Sequence, residues 1–440
     1  MKREKIQTFE ENLNAIFQPS EYIFRTLTTS LRLKDLSDIE FIDNLYNKRV
    51  LITYKSTCFL ILALIKSIGV AKEVCILRNS PKIIDYKNDL EFDICLSESS
   101  EISALKKKKS SRQEALRSNI LIYTSGTTGN PKLVCRSFDS LTDSVKRQTK
   151  NKEIVWGLCY DPEKFAGLQV LFQALLSGST ICGIDDYSKP AFSDLIKVFN
   201  SFNCSAISAT PSFWRILFSF KNLTLLNLKF ITMGGEIVSQ DILDKALQFF
   251  PNARITHIYA STEAGVGFSV RDCKEGFPIE YINSSKLTAK LKIIDNELHI
   301  KSNRIGIYKN SNLKITTSDG YIATGDIVKY SPDKTRVLFE GRKNKSMNIG
   351  GNKVMPEEIE RVVEAVQYIK ICKAYSIPHP LLGNIVVLDF VKEINCPLST
   401  LELKKNINLN CRSKLERHKI PVKINEVRAI KLSGSGKVVR

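Results

Sequence analysis

The feature that most restricts the fold is the alternation of short apolar runs with helical ones along the first two thirds of the chain. Arg49 to Tyr54 reads as a strand, Thr57 to Ile68 as a helix and Glu73 to Leu77 as the next strand, which is the rhythm of a βαβ unit. The pattern recurs through Ile120 to Tyr123, Glu153 to Cys159, Phe165 to Leu176, Thr180 to Ile184, Ala206 to Ala209, Phe230 to Met233 and Ile255 to Tyr259. An α/β domain with a largely parallel sheet follows. From about Leu287 the texture changes to short alternating strands, Lys290 to Ile294, Glu297 to Lys301 and Arg336 to Phe339, separated by Asp-Asn, Ser-Asn and Asp-Gly turns. After Gly341 a strand leads to Pro356-Glu357-Glu358, residues suited to the first turn of a helix.

Composition narrows the classes further. With 440 residues, 43% of them hydrophobic, there is apolar material for two or three domains. Met1 to Asn14 mixes Lys, Arg and Glu without an apolar core, so it reads as a helix start rather than a secretory signal. The longest apolar run, Cys58 to Ile65, is too short to span a bilayer and is closed by Lys66, so a cytoplasmic protein without a membrane span is expected. Eleven scattered cysteines suggest neither a disulfide framework nor a zinc site and read as reduced thiols. The net charge of +19 is spread along the chain, with one concentration from Lys106 to Arg112 that reads as a surface connector. That distribution, without an aromatic and basic stripe, argues against a nucleic-acid partner. It suits steering of smaller polyanions.

Chemistry concentrates first at Leu121 to Val134, L-I-Y-T-S-G-T-T-G-N-P-K-L-V, where a strand runs into hydroxyl and glycine residues and ends at a lysine. Glycines let backbone N–H groups approach phosphate, Ser and Thr add donors, and Lys132 adds charge. A Walker loop is excluded, because that lysine follows Asn130-Pro131 and precedes Leu133 rather than Ser or Thr. Gly434-Ser435-Gly436-Lys437 also fails that pattern, having Lys431 in place of the first glycine and Val438 in place of the hydroxyl.

The string T-S-G-T-T-G-x-P-K fixes eight positions, each met by chance about one time in twenty. On it the chain resembles the AMP-forming adenylating superfamily of acyl-CoA synthetases, peptide-synthetase adenylation domains and luciferase. The resemblance recurs in order at Ile258 to Gly265, Asp319 to Asp326, Gly341-Arg342, Gly350 to Glu360 and Gly434 to Lys437. It implies a large N-terminal AMP-binding domain, residues 1–342, of several subdomains with mainly parallel sheets, a small β-rich subdomain and an abbreviated first subdomain over 1–118. A small mobile α+β domain, 343–440, completes the α/β architecture.

The same resemblance implies roles. Thr124, Ser125, Gly126, Thr127, Thr128, Gly129 and Lys132 would cradle the β- and γ-phosphates of ATP. Thr262 would bond the α-phosphate and Glu263 would hold Mg²⁺, a hard cation that prefers oxygen ligands. Gly234, Gly235 and Glu236 would line the adenine pocket, Tyr259 would stack on the base, and Asp326, assisted by Arg342, would accept the ribose hydroxyls. Lys437 would be the catalytic lysine, bridging the acyl carboxylate and the α-phosphate. The terminal domain would then rotate about Asn344 and present Met347 to Val354 to a pantetheine thiol, with Gly350 and Gly351 admitting the slender arm. Lys353 and these glycines read equally as the shaping of a hairpin.

Departures from the family pattern mark this chain. Leu133 stands where glycine is common, Arg136 where histidine is common, and Lys164 where His or Asp borders the acyl pocket. A cation at Lys164 cannot hold an α-ammonium, so it disfavours an α-amino acid. It reads either as meeting a polar or acidic group on the substrate or as pointing to solvent. Lys437 is expected on a tail that orders with ligand. The function expected is an acyl-CoA synthetase acting on a small or medium organic, aryl or fatty acid. Loading of a separate acyl or peptidyl carrier protein is the nearest alternative, and a non-catalytic nucleotide-binding homologue the alternative of another class.

Overall fold

The structure, a computed structural model, describes residues 8–18, 21–36, 45–78, 91–98, 115–124, 132–145, 153–187, 191–220, 223, 226–282, 284, 287–309, 315–379, 383–433 and 436–439. The basic run at 106–112, the loop residues Ser125, Gly126, Thr127, Thr128 and Gly129, and Gly434 lie outside the described residues.

Helix α1 (Phe9–Ile16) begins at a capping box formed by Thr8 and Glu11, which satisfies two otherwise orphaned amides. Then come β1 (Tyr22–Arg25), β2 (Ser30–Arg32), β3 (Arg49–Tyr54), α2 (Thr57–Ser67), β4 (Glu73–Arg78), β5 (Ile94–Ser97), β6 (Asn119–Thr124), β7 (Lys132–Ser137) and α3 (Phe138–Thr142). A second α/β run holds β8 (Val155–Leu158), α4 (Phe165–Leu176), β9 (Thr180–Cys182), α5 (Phe192–Ser201), β10 (Ala206–Ala209), α6 (Pro211–Leu217), β11 (Phe230–Gly234), α7 (Gln240–Phe249), β12 (Arg254–Ser261) and β13 (Gly265–Val270). Short strands follow: β14 (Phe277–Pro278), β15 (Ala289–Ile294), β16 (Glu297–Ser302), β17 (Ile307–Tyr308), β18 (Ile322–Tyr330) and β19 (Arg336–Arg342). The last part comprises β20 (Met347–Ile349), β21 (Asn352–Val354), α8 (Pro356–Glu364), β22 (Ile369–His379), β23 (Gly383–Lys392), α9 (Thr400–Lys414) and β24 (Lys423–Glu426).

One sheet runs β13-β12-β11-β10-β8-β9-β1-β2, and every pairing from β12 to β1 is parallel. A second runs β17-β7-β6-β4-β3-β5, parallel from β6 to β5. Among the described residues before 118, every strand joins a sheet that later residues complete. Strands β1 and β2 extend the first sheet while β3, β4 and β5 complete the second, because a parallel strand must find an edge to satisfy its amides. The antiparallel sheet β14-β19-β18-β16-β15 is the expected β-rich region.

The first sheet reverses its order at β8 and β10, since β9 lies on one side of β8 and β10 on the other. In open α/β sheets the crevice at such a switch, beyond the carboxyl ends of the strands, is where ligands sit. Residues after Met347 build a separate apolar core of Met347, Val354, Ile359, Phe390, Leu403 and Ile407 among others. A small seam of Ile216, Ile371 and Val438 joins that unit to α6.

Candidate active site

The carboxyl ends of β10, β11 and β12 deliver Thr210, Gly234-Gly235-Glu236 and Ser261-Thr262-Glu263 to one edge of the sheet. Pro211 is the first residue of α6, where a missing amide costs nothing, and the Thr210 hydroxyl caps the helix by accepting from the Phe213 amide at 3.1 Å. The turn at Thr262 and Glu263 is held by its backbone. Arg136 donates through one guanidinium nitrogen to the Thr262 carbonyl at 2.7 Å and to the Glu263 carbonyl at 3.3 Å, and the Gly306 amide donates to the Glu263 carbonyl at 2.8 Å. Arg136 is 2% exposed. Burial brings its guanidinium down to about 10, with Glu263 opposing that fall and Arg304 adding to it. A methyl placed on Gly265 would lie 2.8 Å from the Arg136 guanidinium, so glycine there makes room for the cation.

Strands β18 and β19 pair Asp326 with Arg342. Arg342 Nε donates to one carboxylate oxygen of Asp326 at 2.7 Å, and the Tyr259 hydroxyl donates to the other at 2.6 Å. Each oxygen keeps a second lone pair with which to accept further donors such as ribose hydroxyls. The Tyr259 ring lies nearly parallel to those of Phe268 and Phe339, with centroids 5.2 and 5.3 Å away. Burial and the neighbouring Asp326 push its hydroxyl well above the usual tyrosine range.

The phosphate-loop ends are fixed even though the loop between them is not described. Thr124 and Lys132 face each other in the β6–β7 register, and the Thr124 hydroxyl donates to the Lys132 carbonyl at 3.3 Å. The Lys132 ammonium sits 5.1 Å from the centroid of the Tyr308 ring. Tyr308 is pushed up to about 12 by burial and then by Glu263.

Lys437 reaches this edge from the far end of the chain. The described residues between 431 and 439 form a hairpin rather than an unformed tail: Leu432 bridges Val438, and the Ser433 amide donates to the Lys437 carbonyl at 2.8 Å. This differs from the expectation that Lys437 orders with ligand, because the hairpin closes its own backbone bonds. A methyl on Gly235 would lie 3.2 Å from Lys437 Cε and 3.8 Å from its Nζ. Lys437 as a whole residue is exposed. Crowding around the ammonium still lowers its pKa; Glu236 opposes this, Arg342 and Lys345 add to it, and Asp326 opposes it.

The remaining expected residues fall as follows. At Gly234 an added methyl would meet the Ile258 carbonyl oxygen at 3.0 Å, so that glycine serves a close approach of β12. Gly350 and Gly351, at φ +56° and +87°, make the two-residue turn between β20 and β21, as the hairpin reading requires. Asn344 is exposed in a short 3₁₀ turn. The Lys164 ammonium lies 2.6 Å from Glu163, while buried Asp161 accepts from Tyr54 and Arg78, each at 3.0 Å. Sequence reasoning missed the anchoring roles of Arg136, Thr210 and Glu236, whose partners are distant in the chain. The one available signal was that Arg136 stands where histidine is common. Among the described residues no three His, Cys, Asp or Glu side chains converge as a resident metal cage would. The carboxylate of Glu263 instead suits Mg²⁺ shared with substrate phosphates, since that ion takes one or two carboxylates and keeps waters.

Residues 41–305 match the family described as AMP-binding enzyme. The chain is similar to 2-succinylbenzoate–CoA ligase of Staphylococcus epidermidis, 25% identical over 334 residues that cover 73% of this chain and 68% of that one. It is also similar to D-alanine–D-alanyl carrier protein ligase of Bacillus cytotoxicus, 26% identical, covering 73% and 69% respectively. Against surfactin synthase subunit 1 of Bacillus subtilis it is 26% identical over 73% of its own length and spans 10% of that protein. In fold it resembles an anthranilate CoA ligase solved with anthranoyl-AMP, at TM-score 0.77 and 13% identity over 98% of this chain and 95% of that one. An o-succinylbenzoate coenzyme A synthetase from Bacillus subtilis, solved with ATP and magnesium, gives TM-score 0.72 at 16% identity over 98% of each chain.

Proposed function

The chain belongs to the AMP-binding enzyme family, and from that premise we propose that it is an AMP-forming acid–thiol ligase. A carboxylate oxygen of the acid attacks the α-phosphorus of ATP, the bond to the β-phosphate oxygen breaks, and pyrophosphate leaves. A thiol sulfur then attacks the acyl carbonyl carbon, gives up its proton, and AMP departs with the electron pair. The observation that carries this reading is the arrival of Lys437 over Gly235, with the amide of the next residue bonded to Glu236, at the carboxyl edge of the parallel sheet.

Joining two anions requires their repulsion to be relieved as the bond forms. Lys437 is placed to do so as charge builds between acid and α-phosphate, which lowers the barrier more than it tightens substrate binding. Thr262 bonds the α-phosphate from a turn already fixed by Arg136. Thr124, Lys132 and the loop residues 125–129 take the pyrophosphate. Gly234, Gly235 and Tyr259 border the adenine, and the oxygens of Asp326, steadied by Arg342, accept the ribose hydroxyls. Glu263 would hold Mg²⁺, which when bound neutralises phosphate charge. Residues 343–440 act as the mobile unit, turning about Asn344 between the two steps.

Coenzyme A is the thiol acceptor we propose, because G-G-N-K-V-x-P-E-E-I-E resembles the acyl-CoA synthetase form. A carrier protein is the alternative, favoured by the likeness to the D-alanyl carrier protein ligase. The acid is a small or medium organic, aryl or fatty acid. Glu163 and Asp161 are already paired with Lys164, Arg78 and Tyr54, so an α-ammonium there would have to compete with resident donors and meet the Lys164 cation, which disfavours an α-amino acid. A cytoplasmic setting goes with these substrates, and among the described residues no helix is long and apolar enough to cross a membrane.

A panel of acids with ATP and Mg²⁺, assayed for pyrophosphate and AMP with coenzyme A or a carrier protein, tests the proposal. Wild type should form AMP with at least one acid, and Lys437→Ala should slow adenylate formation roughly a hundredfold or more. No AMP from any acid, or an unchanged rate in Lys437→Ala, would overturn it.

A further inference from the structure

Glu236 was expected to border the adenine, but its carboxylate does something else in this fold. One oxygen accepts from the Ser212 amide at 3.0 Å, at the start of α6, and the other accepts from the Val438 amide at 3.1 Å. Ser212 belongs to the main body and Val438 to the terminal hairpin, so one side chain spans the two. Beside it the Thr210 hydroxyl donates to the Gly436 carbonyl. The residues on either side of Lys437 are therefore both pinned through their backbones. Side chains alternate along an extended chain: Val438 is buried in the seam with Ile216 and Ile371, while Lys437 lies over Gly235 on the active-site side.

We propose that Glu236 is a positioning residue for adenylate formation, its bridging carboxylate seating the Lys437 hairpin on α6 rather than contacting the nucleotide. The inference rests on the assignment of Lys437 above and extends it. A carboxylate is suited to the task because it accepts two amides at once, and bonds to a charged acceptor are shorter and stronger than neutral ones. Glutamine in its place offers one acceptor oxygen, while its NH₂ group opposes the second amide. Aspartate is one methylene too short to span both.

The test combines Glu236→Gln and Glu236→Asp with Lys437→Ala in a double-mutant cycle, measuring single-turnover adenylate formation and ATP affinity. Loss of one charge-assisted bond should slow adenylate formation roughly tenfold in either single variant. The ATP dissociation constant should change by less than about twofold, because the seat is lost and not the nucleotide contact. In the Lys437→Ala background neither change should slow the step further. Hydrogen exchange at residues 431–439 should rise in Glu236→Gln, a readout independent of turnover. Weakened ATP binding at an unchanged rate, or effects that multiply with Lys437→Ala, or unaltered exchange, would overturn the proposal. Absence of AMP formation by wild type would instead strike the assignment on which it rests, and the exchange measurement would still judge the bridge.

Discussion

Arg136 is held by carbonyls rather than by a carboxylate partner, and that explains both its burial and its use. Its nitrogens reach Thr262, Glu263, Ser140 and Arg304, elements up to 168 residues apart, and its buried Nε finds no acceptor among the described residues. A planar fork can satisfy several fixed acceptors, which a lysine point charge cannot. Arg136→Lys should therefore destabilise the protein by roughly 1–3 kcal/mol in denaturant unfolding. It should also raise the Mg²⁺ concentration needed for half-maximal adenylation, since the backbone of Glu263 loses its anchor. An unchanged magnesium requirement would reduce Arg136 to a packing residue. In sequence Arg136 was visible only as a departure from a common histidine; its partners were not.

At the scale of elements, local pattern and fold agree closely wherever periodicity is strong. Strand β3 spans the residues read from the sequence, α2 ends one residue earlier, and α8 starts at Pro356. These follow from alternation, helical spacing and capping chemistry, all of which act over a few residues. Where the terminal hairpin seats was not legible, because its docking depends on Thr210 and Glu236 more than two hundred positions away. Thr210 serves two elements at once, capping α6 and holding Gly436. Thr210→Val keeps the shape and removes both bonds. It should lower thermal stability through loss of the cap, by about 1 kcal/mol, and slow adenylate formation, whereas Thr210→Ser should retain most of both. Equal rates for Val and Ser variants would show that the hydroxyl does not hold the hairpin.

Across the whole molecule, the terminal unit docks on the main body through a buried ionic cluster as well as the Val438 seam. Arg215 of α6 lies 2.6 Å from Asp241 and 2.9 Å from Glu364 of α8. The aspartate makes two contacts with that guanidinium, and its carboxyl is held below the ordinary range. Glu364 is pushed up to about 8 by burial, against the pull of Arg215 and with Asp241, Glu360 and Glu236 adding to the rise. Docked protein thus holds a proton that an exposed glutamate releases near pH 4.3. Between those values the docked form binds more protons, so docking is favoured below that window and weakens as pH rises through about 8. Protease cutting near Asn344 should accordingly increase from pH 6 to 8.5 in wild type, and Glu364→Gln should flatten that rise. A pH response that persists in Glu364→Gln would assign it to another group.

Sequence by itself determined the order of strands and helices, the family resemblance and the residue types that chemistry needs, from Thr124 and Lys132 through Asp326 to Lys437. Those features are written in short-range periodicity and contiguous motifs. Tertiary structure alone decided which carboxylate seats the lysine, which cation fixes the Thr262 turn and which arginine joins the two units. Such pairings need donors and acceptors from distant segments within about 3 Å of each other, and spacing along a chain carries no record of that distance.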